Sequence, residues 1–197
     1  MFDFDGTLVD TAPLKKRAFF DVFPKVAPYA EIVAAELAAD PDGSRHVVIP
    51  RMAARMRIAG LDVDDAPEAA RIDHYGRLVA DAVSAAPEVA GAGALLAAAH
   101  RVAEVHVASA TPVEPLRAEI DRRGWTRFLA GSHGYPARKP DVVRALMMDG
   151  RHAADATVVI GDGVSDAEAA EANGAAFHRI LAPPDLAPVW ALLGVRP

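Results

Sequence analysis

Short runs that are apolar throughout, rather than alternating, constrain this chain more than any other feature of its sequence. They are "MFDFD" at Met1–Asp5, "EVHVAS" at Glu104–Ser109, "TVVIGD" at Thr157–Asp162 and "AAFHRI" at Ala175–Ile180. Continuous apolar strands of this length predict burial on both faces, as in a parallel sheet. "RFLAG" at Arg127–Gly131 reads as a further short strand. Helical patterns separate these runs: "GALLAAAHRV" at Gly93–Val102, "PVEPLRAEIDRRG" at Pro112–Gly124, "KPDVVRALMMDG" at Lys139–Gly150 and "SDAEAAEANG" at Ser165–Gly174. Thr111 and Ser165 are the predicted N-caps, Pro112 a first helical residue, and Gly124 and Gly174 the stops. Strand–helix alternation of this kind predicts an α/β fold, a Rossmann-like doubly wound parallel sheet with right-handed crossovers.

One stretch breaks the alternation. "LKKRAFFDVF", "YAEIVAAELAA", "RHVVIPRMAARMRIAG" and "APEAARIDHYGRLVADAVSAA" are all helical, punctuated by Pro24, Pro28, Pro41 with Gly43, and Gly60. The expected organisation is therefore a core from residues 1–11 and 87–197 with a small helical domain, residues 12–86, inserted after the first strand. Linkers are expected near Thr11–Pro13 and Ala85–Gly91.

Composition removes several classes. Twenty-one basic against 27 acidic residues give a net charge of −6, which argues against a nucleic-acid footprint. There is no cysteine, hence no disulfide framework and no thiolate metal site. The longest apolar stretch, Val89–Ala99, is too short and glycine-rich to span a bilayer. No room for a signal peptide precedes Asp3, so the expected location is cytoplasmic, with no membrane partner. Oligomeric state leaves no sign in the sequence.

In open α/β sheets, ligands sit at the carboxyl ends of the strands. There the sequence places Asp3, Asp5, Gly6 and Thr7 after the first strand and Ser109, Ala110 and Thr111 after the second. Asp162 and Asp166 follow the third, and Lys139 opens a helix. That many carboxylates in one crevice would repel one another unless a cation joins them. All-oxygen donors select a hard ion, and Mg²⁺ is the expected cofactor.

"DFDGTLVDT", "VASAT", "RKPD" and "GDGVSD", in that order, resemble the four motifs of the haloacid dehalogenase (HAD) superfamily. The position of the insert is similar to that of a C1-type helical cap, as in the phosphoglycolate phosphatase and β-phosphoglucomutase-like members. The resemblance implies that Asp3 is the nucleophile, forming an aspartyl-phosphate, and that Asp5 is the general acid and base. It implies that Ser109, the N–H of Ala110 and Lys139 hold the phosphoryl group. It also implies that Asp3, Asp5 (through its carbonyl), Asp162 and Asp166 hold the metal, Asp166 directly or through water. An acid two positions after the nucleophile distinguishes phosphate-ester enzymes from dehalogenases. The expected function is hydrolysis of a small phosphorylated metabolite, with a cap that closes over the site. A sugar phosphomutase and a catalytically silent binding protein are the alternatives.

The remaining candidates have other readings. Asp10 and Thr11 read as cap and linker residues. The seven histidines show no ligand spacing and read as surface or packing residues; His133 and Tyr135 either approach the site or belong to loop surface. Trp125 beside Phe128 reads as core. Arg51 and Arg55, one helical turn apart, either form a solvated face or, with Arg45, read an anionic substrate. Only Met1 and Phe2 precede Asp3, fewer apolar residues than members of that superfamily usually carry: either the true start lies upstream, or the first strand is trimmed, with a charged amino terminus buried nearby.

Overall fold

A computed structural model describes residues 1–40, 43–64, 66–181 and 183–196; Pro41, one of the predicted breakers, lies outside them. The chain divides into two compact units, one of Met1–Asp10 with Ala86–Pro197 and one of Thr11–Ala85.

The first unit is built on a five-stranded sheet in the order β3-β2-β1-β4-β5. Its strands are β1 (Phe2–Asp3), β2 (His106–Pro112), β3 (Gly131–Tyr135), β4 (Val158–Gly161) and β5 (Ala176–Arg179), and every pairing is parallel. β1 is central although it has only two residues: Phe2 lies opposite Val107 on one side and Ile160 on the other. The Met1 amino group donates to the Val158 carbonyl at 2.8 Å. Burial pushes that amino group down from 8.0 to about 6.

After β1 the chain turns through Gly6, whose N–H bonds Val9 O at 2.8 Å. The outgoing and returning segments then pair: Asp10 N–H meets Pro87 O and Val89 N–H meets Leu8 O. Phe4, Leu8 and Val9 are buried, and the Phe4 ring meets Trp125 edge-on at 6.3 Å, so Trp125 is core as expected. Val143, Val159, Ala169 and Ala170 form a second cluster beside Met1, Met147 and Phe177.

Three expectations are corrected. "RFLAG" is not a strand: Thr126–Phe128 is a 3-10 turn, and β3 starts at Gly131. Thr111 does not cap the helix after β2. Thr111 and Pro112 finish the strand, and the helix runs Val113–Arg122. Ser165 lies inside its helix, Val164–Glu171, whose N-cap is Gly163. The histidines pack as expected, but as a chain: His133 Nε2 lies 3.2 Å from His106 Nδ1, and His106 and His152 both reach Glu104, at 2.8 and 3.1 Å.

Among the described residues, the second unit holds four helices, α1 (Ala12–Asp21), α2 (Ala27–Ala39), α3 (Arg45–Ile58) and α4 (Glu68–Ala85). Phe19 of α1 packs on Tyr75 of α4 with ring centroids 4.4 Å apart. Val33 and Leu37 of α2 and Val48, Ile49, Met52 and Met56 of α3 fill the interior. Glu36, on α2, is fully buried. It is paired with Arg51 and, at 2.5 Å, with Arg55, while Arg51 also holds Asp40 at 3.0 Å. Arg51 and Arg55 thus do face one way, but as counter-ions to a buried carboxylate, which burial would otherwise make costly. Arg45 sits 5.9 Å over the Tyr75 ring.

Candidate active site

Strand geometry fixes where the acids go. Asp3 closes β1 opposite Ala108, one residue before Ser109 on β2, and Asp162 follows directly on β4. The carboxyl ends of three adjacent strands therefore bring together residues more than a hundred positions apart. Asp3, Asp162 and Asp166 each offer an oxygen within 4.8 Å of the others. Asp3 and Asp166 are buried and Asp162 is half-buried.

Two glycines make this approach feasible. A Cβ on Gly6, whose φ is +80°, would lie 2.3 Å from Asp162 Oδ2. A Cβ on Gly161 would lie 2.3 Å from the Asp166 carboxylate. The glycines of "DGT" and "IGD" are thus spaces into which acids fold.

Lys139 opens the helix Lys139–Gly150 and is buried. Its ammonium lies 2.8 Å from Asp3 Oδ1 and 2.7 Å from Asp166 Oδ1. Burial alone would lower its pKa, but the charges of Asp3 and Asp166 outweigh burial and hold it above the ordinary lysine value. The second Asp166 oxygen accepts from the Gly163 N–H at 3.2 Å. Three carboxylates against one ammonium leave a negative excess. Burial and the Asp3 charge accordingly push Asp162 up to about 7 and, despite Lys139, Asp166 up to about 6. Such an oxygen-only, charge-deficient cluster fits a hard divalent cation.

Asp5 belongs to a different part of the site. Its Oδ2 accepts from Ser109 Oγ at 2.8 Å and from Thr111 Oγ1 at 2.9 Å. Ser109 Oγ in turn accepts the Thr111 N–H at 3.0 Å. Ala110 is exposed at this strand end. Thr111, expected as a cap, instead binds Asp5. The signal was present in "VASAT": hydroxyls two apart on a strand face the same way. Of the other sequence candidates, His133 turns onto His106, and Tyr135 is exposed at the end of β3. Thr11 precedes α1 without a side-chain capping bond, and Thr7 Oγ1 reaches Asp162 Oδ1 only at 3.5 Å.

Solved structures of similar fold cover nearly all of the chain. YfnB from Bacillus subtilis, described as a HAD-hydrolase bound to magnesium, aligns with a TM-score of 0.70 at 15% identity over 98% of this chain and 97% of its own. A predicted phosphoglycolate phosphatase from Haemophilus somnus 129PT aligns at 0.71 and 16%, over 91% and 83%. A Thermotoga maritima protein described as a β-phosphoglucomutase aligns at 0.63 and 16%, over 98% and 90%. At these identities the likeness concerns the fold. A comparison with curated protein sequences finds no match. The family model for haloacid dehalogenase-like hydrolases matches residues 1–174, and the chain, with its acids and lysine gathered at the strand ends, belongs to that family of enzymes.

Proposed function

We propose that this hydrolase is a Mg²⁺-dependent phosphomonoesterase acting on a small phosphorylated metabolite through an aspartyl-phosphate at Asp3. The observation that carries the reading is the buried Asp3–Lys139 pair at 2.8 Å, set within the Asp3, Asp162 and Asp166 cluster. Lys139 sits 2.8 Å from Asp3 and limits the rotation of its carboxylate, which suits a nucleophile. An Asp3 oxygen attacks phosphorus, the P–O ester bond breaks, and Asp5 gives a proton to the departing oxygen. Asp5 then takes a proton from the water that cleaves the acyl phosphate, releasing inorganic phosphate and restoring Asp3. Thr111 keeps the Asp5 carboxylate in place for both transfers, while the Ser109 hydroxyl, which rests on Asp5, turns to a phosphoryl oxygen when substrate binds. The N–H of Ala110, Ser109 and Lys139 are the donors assigned to the phosphoryl oxygens. Asp3, Asp162, the Asp5 carbonyl and Asp166, the last directly or through water, would hold Mg²⁺, which neutralises phosphoryl charge when bound.

We assign catalysis to residues 1–11 and 87–197 and substrate choice to the helical insert, residues 12–86, working in the cytoplasm on a soluble metabolite. The division of the chain into units near Asp10 and Ala86 supports that assignment. A phosphomutase is the second reading, favoured by the likeness to the Thermotoga maritima protein. An aryl phosphate assay separates them. Rapid hydrolysis that chelation abolishes, Mg²⁺ restores and Asp3→Asn removes is the expected result. Slow turnover that requires a sugar bisphosphate would favour the mutase, and metal binding without turnover would refute both.

A further inference from the structure

The helical unit contains a hollow of about 480 Å³ that none of the chemistry above uses. It is formed by α1, the turn after it and α2, and its lining carries three cations, Lys16, Arg17 and Lys25. The acid in the lining, Asp21, is 2.6 Å from Lys25, so that pair is self-neutralising. Among the described residues, the side chains of Lys16 and Arg17 make no ion pair or hydrogen bond, which contrasts with Arg51 and Arg55 of the same unit, both held by Glu36. The remainder of the lining is apolar: Phe20, Val33, Ala30, Pro13 and Pro24. A solvated helix face would explain the two cations but not the apolar concavity they share. Inorganic anions would satisfy the charge and leave that surface wet. A ligand with an apolar body gains by covering it.

We infer that this hollow is a binding site for a small organic dianion with a flat apolar body, its two negative groups answered by Lys16 and Arg17. The inference is independent of phosphatase chemistry and stands whether or not Asp3 is a nucleophile.

The test uses the full chain, free of divalent metal, and 1,5-naphthalenedisulfonate as probe, followed by amide NMR at low salt. Saturable one-to-one binding is expected, with shifts concentrated in residues 13–33. Sulfate, which has the charge without the body, and 1,5-dihydroxynaphthalene, which has the body without the charge, should each bind about tenfold more weakly or worse. The double substitution Lys16→Ala, Arg17→Ala should cost about tenfold in affinity, roughly what two exposed ion pairs supply, and Lys16→Arg, Arg17→Lys should retain it. Both residues are exposed, so the variants should keep the amide spectrum of the parent chain. Equal binding of sulfate or of the diol, shifts centred elsewhere, or indifference to the double substitution would overturn the inference.

Discussion

Lowering the pH should weaken Mg²⁺ binding by an amount that the carboxylate cluster itself sets. Asp162 lies at about 7 and Asp166 at about 6 without metal, raised first by burial and then by Asp3. A cation entering the cluster must displace whatever protons these groups hold, so affinity falls as pH drops through these values. Between pH 8.5 and 6.0, the apparent dissociation constant should rise by on the order of tenfold as protons on Asp162 and Asp166 are displaced. At pH 6.5, about one proton should be released per Mg²⁺ bound, against less than about 0.1 at pH 8.5. Isothermal titration calorimetry in buffers of different ionisation enthalpy reads both quantities. The Asp162→Asn chain should show weaker binding and a flatter pH dependence. Equal affinity at the two pH values, or no proton release at pH 6.5, would refute the claim that these buried acids form the metal site.

Three further outcomes follow from other contacts. Lys139→Met removes the cation 2.8 Å from Asp3, so Mg²⁺ should bind more tightly while kcat falls by about 10²–10³, a split visible in one metal-dependent kinetic series. Glu36→Gln leaves Arg51 and Arg55 without their buried partner; because both arginines are partly in water, the loss in urea unfolding should be about 2 kcal/mol, below that of a fully buried pair. The Met1 amino group, lowered from 8.0 to about 6, disfavours folding increasingly as pH falls from 8 to 6 and by a constant amount below that. Acetylating it should therefore raise stability by on the order of 2–3 kcal/mol at pH 5.5 and by almost nothing at pH 9, as measured by chemical denaturation, with one N–H still available to Val158 O.

The sheet was legible where side chains report it. "TVVIGD" and "EVHVAS" are rich in valine and carry no strict apolar–polar alternation because β4 and β2 lie inside a parallel sheet, and that pattern survives in the sequence. β3, "GSHGY", was not legible. It pairs with β2 through its backbone, and Gly131 is small because His106 and His133 crowd it: a Cβ there would lie 3.0 Å from His106 Nδ1. At the site, Asp3, Asp162, Asp166 and Lys139 could be placed because strand ends converge whatever the loops do. Thr111 was misread because a residue that ends a strand and one that starts a helix look alike in sequence. Arg51 and Arg55 were correctly seen to share a face, but their partner, Glu36, sits on another helix, and no local pattern records a pairing across helices.

The central claim is that the Asp3 carboxylate becomes covalently phosphorylated during turnover. Rapid acid quenching with a good substrate and Mg²⁺, followed by peptide mass spectrometry, tests it most directly. The account predicts a phosphoryl group on the amino-terminal peptide, localised to Asp3 and missing from Asp3→Asn. A chain that turns over rapidly with its label on another residue, or with undiminished activity in Asp3→Asn, would contradict it.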